Sequence, residues 1–440
     1  MKQKFFRLTF FNILANLSVP LVGLADIAVL GQLNTHTFMA GVALANIVFD
    51  YLFWSFAFLR MGTTGLTAQA YGAGDESKSD LILSRSLILG LGIGITILLF
   101  NRPIQDFGFF FLEGEVDVKL AGSSYFQARI ASAPATLCNF ALMGWLLGRS
   151  QSKIVLFVTV VANVTNILLN IWFVLYMQWE AWGTGIATTI SQYLMLSLFL
   201  IFYFVERKHL PGFSENEEKV FSASGFKSLL SLNTDILLRT VMLITAFSIF
   251  RNFSSSFGSI VLAGNAILHE LILVAAYWID GAAVATETLA GEAKGKNDKK
   301  ELISLLKLAL LSALGLAGLF SYFMIQCPNW IFPWISKSSE VIKVAETYRF
   351  WLAPVLIIGS IAFVFDGFFL GLSDGRTLRN AMIISTLIFF LPIALIGKAE
   401  ASNHLLWLSL SFYMIGRSTT LGWKIYRMTE ATSFARDPTP

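Results

Sequence analysis

Leu66-Thr-Ala-Gln-Ala-Tyr-Gly-Ala-Gly-Asp75 returns 223 residues later as Leu289-Ala-Gly-Glu-Ala-Lys-Gly-Lys-Asn-Asp298, with Leu, Ala, Gly and Asp at matching places. The same offset carries Ala40-Gly41 to Ala263-Gly264, Ala43 to Ala266, Tyr125 to Tyr348, and Gly144-x-x-Leu147-Gly148 to Gly367-x-x-Leu370-Gly371. One offset held from residue 40 to residue 148 marks an internal duplication. Both copies run through apolar sequence, and two homologous membrane halves are the usual build of a secondary transporter, with substrate handled between them.

Composition places the chain in the membrane. Of its 440 residues 55% are apolar and only 14% charged, and 40 Phe with 11 Trp suit lipid-facing surface and interfacial belts. The mean hydropathy is +0.67. A soluble chain of this length needs a much larger charged surface. The pI of about 8.9 does not point to nucleic acid, because the basic residues sit in short loops between apolar runs and act as topology determinants. Cys138 and Cys327 lie in or near spans, so neither a disulfide framework nor a metal site is expected. Met1 to Arg7 resemble a basic signal region, but the apolar run after them carries Asn12, Asn16, Pro20 and Asp26 and shows no small-residue cleavage site, which favours a retained first span.

Apolar stretches predict twelve spans, at 8–32, 40–70, 81–100, 121–148, 154–177 and 182–205, then 229–251, 259–290, 301–325, 341–371, 381–398 and 402–425. Each can cross about 30 Å of hydrocarbon at about 1.5 Å per helical residue, and all far exceed a barrel strand. With the N-terminus inside, the inner segments collect Lys2, Lys4, Arg7, Lys78, Arg149, Lys153, Lys294, Lys296, Arg376 and Arg379 among others, against Arg102, Lys119, Arg251, Lys337, Lys343 and Lys398 outside. This bias puts both termini in the cytoplasm of a multi-pass plasma-membrane protein, the inner membrane in a bacterium. An even number of spans per half gives the halves the same orientation, related by a pseudo-twofold along the membrane normal. The expected units are 1–205 (spans 1–6), a cytoplasmic connector at 206–228, 229–427 (spans 7–12) and a tail at 428–440. Pro211-Gly212 marks a turn in the connector, which with Glu215, Glu217, Glu218 and Lys219 reads as a solvated tether or the lead into a surface helix.

An ionisable residue inside a span is costly and therefore a functional candidate. Asp26 is the only carboxylate of span one and stands six residues after Pro20, which permits a bend. Beside such a bend a carboxylate can exchange a proton, hold Na⁺, or simply bond a neighbouring helix. Asn163, Asn166 and Asn170 share a face of span five. With Thr188 in span six they form either a polar patch for Asp26 or interhelical glue. In the second half, Asp235 and Arg239 are an i,i+4 pair, Asp280 and Glu287 share a face, and Asp366 precedes the repeated glycines. At least one of these acids is expected to neutralise Arg239. Gly72-x-x-Asp75 and Gly295-x-x-Asp298 read as helix stops with turn residues, Gly144/Gly148 and Gly367/Gly371 as close helix approach or bending, and Pro134 and Pro354 as kinks. Arg60 can snorkel to the headgroups. No phosphate-binding loop and no soluble ATPase domain is present, so uphill transport would draw on an ion gradient.

These residues resemble the multidrug and toxic compound extrusion family, and within it the DNA-damage-inducible F branch. The likeness runs from about residue 8 to 427. It rests on Gly23-Leu-Ala-Asp-Ile-Ala-Val-Leu-Gly31, Met61-Gly-Thr-Thr-Gly-Leu-Thr-Ala-Gln69, Asp280-Gly-Ala-Ala-Val-Ala-Thr-Glu287 and Asp366-Gly-Phe-Phe-Leu-Gly371 taken together. The resemblance implies an all-α, V-shaped pair of six-helix lobes with alternating access, working without a cofactor and as a monomer. It implies export of cationic or amphipathic organic compounds in exchange for H⁺ or Na⁺, not catalysis. Asp26 matches the family's first-helix acid, Asn166 and Thr188 match its polar partners, and Asp235, Arg239, Asp280, Glu287 and Asp366 match a polar network of the second lobe. Asn170 departs from relatives with Asp there, which weakens a two-carboxylate Na⁺ site and favours H⁺. An organic-anion exporter, citrate-like, and a lipid-linked precursor flippase share the architecture and stand as alternatives.

Overall fold

The structure, a computed structural model, describes residues 1–33, 36–207 and 220–433, all helix and turn without strands among them. The central part of the connector reading, with Pro211-Gly212 and the acidic cluster, lies outside the described residues, as do 434–440. The first half builds α1 (Lys2–Leu30), α2 (Thr37–Ser55), α3 (Phe58–Gly72), α4 (Glu76–Leu99), α5 (Asn101–Phe110), α6 (Val116–Ile130), α7 (Ala133–Gly148), α8 (Ser152–Ile171) with a π-turn at Trp172–Tyr176, and α9 (Glu180–Arg207). The second half builds α10 (Ala223–Ser255), α11 (Ser259–Gly295), α12 (Lys299–Gln326), α13 (Pro328–Ile335), α14 (Ser339–Tyr348), α15 (Leu352–Gly371), α16 (Gly375–Ile384), a π-turn at Ser385–Phe390, α17 (Leu391–Ala399) and α18 (Asn403–Ser433).

Ten of the described stretches are long and apolar enough to cross a bilayer, and α6 with α7, bent by 54°, makes an eleventh. The twelfth expected span, 402–425, falls on α18, which is not among them. It is a continuous helix, but hydroxyls and Arg417 thin its apolar character.

The duplication is visible in the packing. In the first half α7 lies against α3 and α4, α2 against α6, and α8 against α9; in the second, α15 lies against α11 and α12, α11 against α14, and α17 against α18. The repeated motif ends α3 at Gly72 and α11 at Gly295. The left-handed backbone these stops need falls two residues later, on Gly74 (φ 71°) and Asn297 (φ 57°), residue types that tolerate it. Asp75 and Asp298 then cap the following helices by accepting from the amides of Lys78 and Glu301, each at 2.9 Å. Pro134 stands in the first turn of α7, where a proline sacrifices no helical hydrogen bond, directly after the break that bends this span.

Close approach explains the second repeated motif. A Cβ on Gly144 would lie 2.5 Å from the Arg60 carbonyl oxygen, and one on Gly367 2.2 Å from that of Ala283, the equivalent residue. Gly148 and Gly371 likewise abut the carbonyls of Thr64 and Glu287. These glycines are seats for backbone, so Gly367→Ala is expected to destabilise the protein by about 1–3 kcal/mol. Gly315→Ala, with nothing within 4 Å of its Cβ, should instead be neutral or gain up to about 1 kcal/mol from helix propensity. Thermal unfolding of the two purified variants checks both signs.

By contacts the chain divides into one unit of Leu14–Asn233 and another of Met1–Ile13 with Thr234–Pro440. Each half's first helix thus begins in the other half's unit. In the 14–233 unit, Arg85 holds the lead into α10, donating to the Val220 carbonyl and the Ser222 hydroxyl at 3.1 Å each. In the other unit, Lys4 and Lys296 both pair with Glu292, at 2.5 and 2.7 Å.

Candidate functional site

In the 14–233 unit the first-span carboxylate is 4% exposed. Asp26 Oδ1 accepts from Asn170 Nδ2 at 2.7 Å, and Thr184 donates to Asn170 Oδ1 at 3.0 Å. One turn of α8 earlier, Asn166 Nδ2 donates to Thr188 at 3.2 Å, and Thr188 donates to the Thr184 carbonyl at 3.1 Å. Asn163, a further turn back, donates to the hydroxyl and carbonyl oxygens of Ser18 on α1, at 3.0 and 3.2 Å. The three asparagines therefore line one face of α8, which meets α1 at Ser18 and Asp26 and α9 at Thr184 and Thr188. Pro20 sits between those two α1 contacts, inside a helix otherwise unbroken from Lys2 to Leu30. Its ring nitrogen carries no hydrogen to donate to the preceding turn.

A second polar group in this unit lies on α6 and α2. Tyr125 donates to Asn46 Oδ1 at 3.0 Å, and Arg129 Nη1 donates to the Tyr125 hydroxyl at 2.8 Å and to Asn46 Oδ1. The Arg129 guanidinium lies over the Phe49 ring, 4.5 Å from its centroid. Asp26 and Asp50 both act on it electrostatically.

In the unit containing the second half, one carboxylate serves two arginines. Asp366 Oδ2 accepts from Arg417 Nη2 at 2.6 Å and from Arg239 Nη2 at 3.0 Å, and all three residues are buried. Arg417 also faces the rings of Phe363 and Tyr413. The i,i+4 spacing of Asp235 and Arg239 suggested mutual neutralisation; in the structure Asp235 accepts from Arg379 of α16 at 2.6 Å, while Arg239 turns to Asp366. Asp280 is half-buried and Glu287 fully buried on α11. His269 lies buried against Phe247 and the Arg251 side chain. Asn265 and Asn403 exchange two amide hydrogen bonds, at 2.8 and 3.0 Å, beneath Trp407, an arrangement suited to holding helices together.

A sequence model of the family described as MatE matches this chain twice, over 12–172 and again over 236–396. The chain belongs to the MatE family. It is therefore a multi-pass membrane transporter, not an enzyme, and acts on small molecules without a bound cofactor. The DNA damage-inducible protein F of Escherichia coli (strain K12) is 33% identical over 411 residues, covering 93% of this chain and 88% of that protein. The Multidrug resistance protein NorM of Vibrio cholerae is 24% identical over 396 residues, covering 86% and 85%. A solved multidrug resistance MATE family transporter in an outward-facing conformation superposes with a TM-score of 0.89 at 20% identity, covering 98% of this chain and 97% of that one.

Within this MatE chain the structure brings Asp26, Asn170, Thr184, Asn166 and Thr188 into one hydrogen-bonded run and adds Asn163 through Ser18. Arg417, Arg379, Arg129 and Asn46 complete the polar groups and were not among the sequence candidates. An arginine inside an apolar span is itself the signal for Arg417. Nothing in the spacing marks Asn46 or Thr184.

At the end of α7, Arg149 bridges Glu76 and Glu206, the latter at 2.5 Å, and stacks on Trp145. Burial opposes its charge, but the two carboxylates outweigh this and raise its pKa above the ordinary guanidinium value. It is a tie among α4, α7 and α9.

Proposed function

We propose that this MatE transporter is a secondary antiporter of the bacterial inner membrane. It exports cationic or amphipathic organic compounds in exchange for H⁺, with Asp26 as the coupling carboxylate. The observation that carries this reading is Asp26 itself: a buried carboxylate on the proline-containing first helix, held by the neutral amide of Asn170 rather than by a cation in contact. Ionised, it can pair with a positive charge or accept further donors; protonated, it loses that attraction and becomes a donor. Since Ser18 and Asp26 flank Pro20 and both bond α8, a change in the Asp26 bond alters what holds α1 straight around the proline. A two-state helix biased by one protonation is enough to couple two fluxes.

With Asn170 in place of a second acid, Asp26 supplies one negative charge where a two-carboxylate Na⁺ site would supply two, which favours the proton. The names of the relatives, a multidrug resistance protein among them, support the substrate class. The test is efflux of a fluorescent organic cation such as ethidium from proteoliposomes, under an imposed H⁺ gradient and, separately, an imposed Na⁺ gradient. Proton-driven efflux is the expected result. Efflux under the Na⁺ gradient alone would overturn the ion, and efflux under neither, from folded protein, would move the substrate class to anions or lipids.

A further inference from the structure

Helix α5 has 10 residues, about 15 Å of helix, and so joins two spans without crossing the bilayer itself. It is laid closely against α2 and α6. A Cβ on Gly108 would stand 2.8 Å from Val48 Cγ1, and the Phe109 ring meets Phe126 edge-on, centroids 6.2 Å apart. Gln105 Nε2 donates to Ser123 Oγ on α6 at 2.6 Å. Beside that bond, Gln105, Asp106 and Phe109 of α5 and Val116, Lys119 and Leu120 of α6 line a cleft of about 260 Å³. Pockets for drug-sized ligands run from about 300 to 1,000 Å³, so this one suits a single polar headgroup. Asp106 and Lys119 line it together, yet neither makes an ion pair among the described residues.

The surface around the cleft is apolar: Phe107, Phe110 and Val116 are 70%, 80% and 74% exposed. In a membrane transporter, rings on a short connecting helix lie where headgroups meet acyl chains. From 101 to 120 the chain carries Arg102 and Lys119 against Asp106, Glu113, Glu115 and Asp117. Two bases against four acids disfavour an anionic headgroup and favour one that brings its own cation. We propose that this cleft binds an aminophospholipid, its phosphate on Lys119, its primary ammonium on Asp106 and its acyl chains along Phe107 and Phe110. The 223-residue offset carries Asp106 and Lys119 to Asn329 and Ile342, so the site occurs once per chain. It shares no residue with the polar groups around Asp26, Arg129 and Asp366, and it does not depend on the antiport reading.

Native mass spectrometry of the delipidated full-length transporter in detergent, with one lipid added at a time, tests the site. The first molecule of palmitoyl-oleoyl phosphatidylethanolamine should bind about fivefold more tightly than the matched phosphatidylglycerol, the upper end for one exposed ion pair. Matched phosphatidylcholine keeps the positive charge, but its quaternary ammonium cannot donate a hydrogen bond, and it should also bind more weakly. Asp106→Lys should reverse the order in favour of phosphatidylglycerol, and Lys119→Gln should weaken the first binding event for all three. Asp106 is exposed and Lys119 half-buried, so both variants should melt close to wild type. If Asp106→Lys does not fold, Asp106→Asn must lose the preference for phosphatidylethanolamine. A wild type that binds the three lipids equally overturns the proposal, as does a folded Asp106→Lys protein that keeps the wild-type order. Soluble phosphoethanolamine carries the same two charges without tails; if it displaces the lipid at equal concentration, the site is not one for a phospholipid.

Discussion

Asp26→Asn is expected to abolish gradient-driven export, lowering the initial rate by at least about a hundredfold, or roughly 2.7 kcal/mol of barrier. The substitution preserves shape: an asparagine Oδ1 can still accept from Asn170 Nδ2, the bond that measures 2.7 Å in the native protein. What it removes is the capacity to carry a proton. Where Asp26 is ionised the substitution also removes a buried charge, and the loss of a charge-assisted hydrogen bond and the relief of desolvation then oppose each other. The variant should therefore melt within about 1 kcal/mol of wild type by unfolding in detergent. Transport lost with folding retained is the signature of a coupling group. Proton-driven efflux at the native rate would show that the coupling proton rides elsewhere, and joint loss of folding and flux would make Asp26 a structural acid.

The largest stability effect should come from Asp366→Ala. Arg417 is 1% exposed and Arg239 7%, and the carboxylate that both address would be gone. Removing one member of a buried ion cluster costs about 3–5 kcal/mol, here because the Arg417 charge loses its carboxylate in low dielectric. Aromatic faces at Phe363 and Tyr413 soften this for Arg417 but supply no charge. Thermal unfolding and the monodisperse fraction after detergent extraction report the effect. Adding Arg417→Leu to Asp366→Ala should recover part of the loss. An Asp366→Ala protein as stable as wild type would mean that this cluster is not what holds α10, α15 and α18 together, and would strengthen the case for Asp366 as a transport residue.

The duplication was legible because it is written in glycines, and the structure gives the reason. Gly144, Gly148, Gly367 and Gly371 each seat a carbonyl of a neighbouring helix, and that geometry admits no side chain. The caps at Asp75 and Asp298 were legible in the same way, as local chemistry within three residues. Asp26 stood out because a carboxylate in hydrocarbon is costly. In the second half the partners were not legible. Asp235 meets Arg379 and Asp366 meets Arg417 across 144 and 51 residues, distances over which helical spacing says nothing. The Asp235–Arg239 pairing was the best local guess and lost to tertiary geometry. Asn46 and Thr184 are ordinary helix residues whose meaning comes only from what stands opposite. The twelfth span, predicted from an apolar stretch, falls on α18, whose hydroxyls and Arg417 leave it outside the helices apolar enough to cross a bilayer.

The shared offset also shows where the two copies have parted. Glu287 stands where the first half has Thr64, Asp366 where it has Met143, and Arg129 where the second half has Leu352. Gly41, Gly72, Gly144 and Gly148 all have glycine at the matching place in the second copy, whereas these ionisable positions have no ionisable counterpart. A duplication of an ancestral membrane unit supplies a spare set of positions already in the membrane. A new charge on one copy left a neutral twin to carry the fold. The seats for backbone are thus common to both copies, while each buried charge belongs to one copy alone.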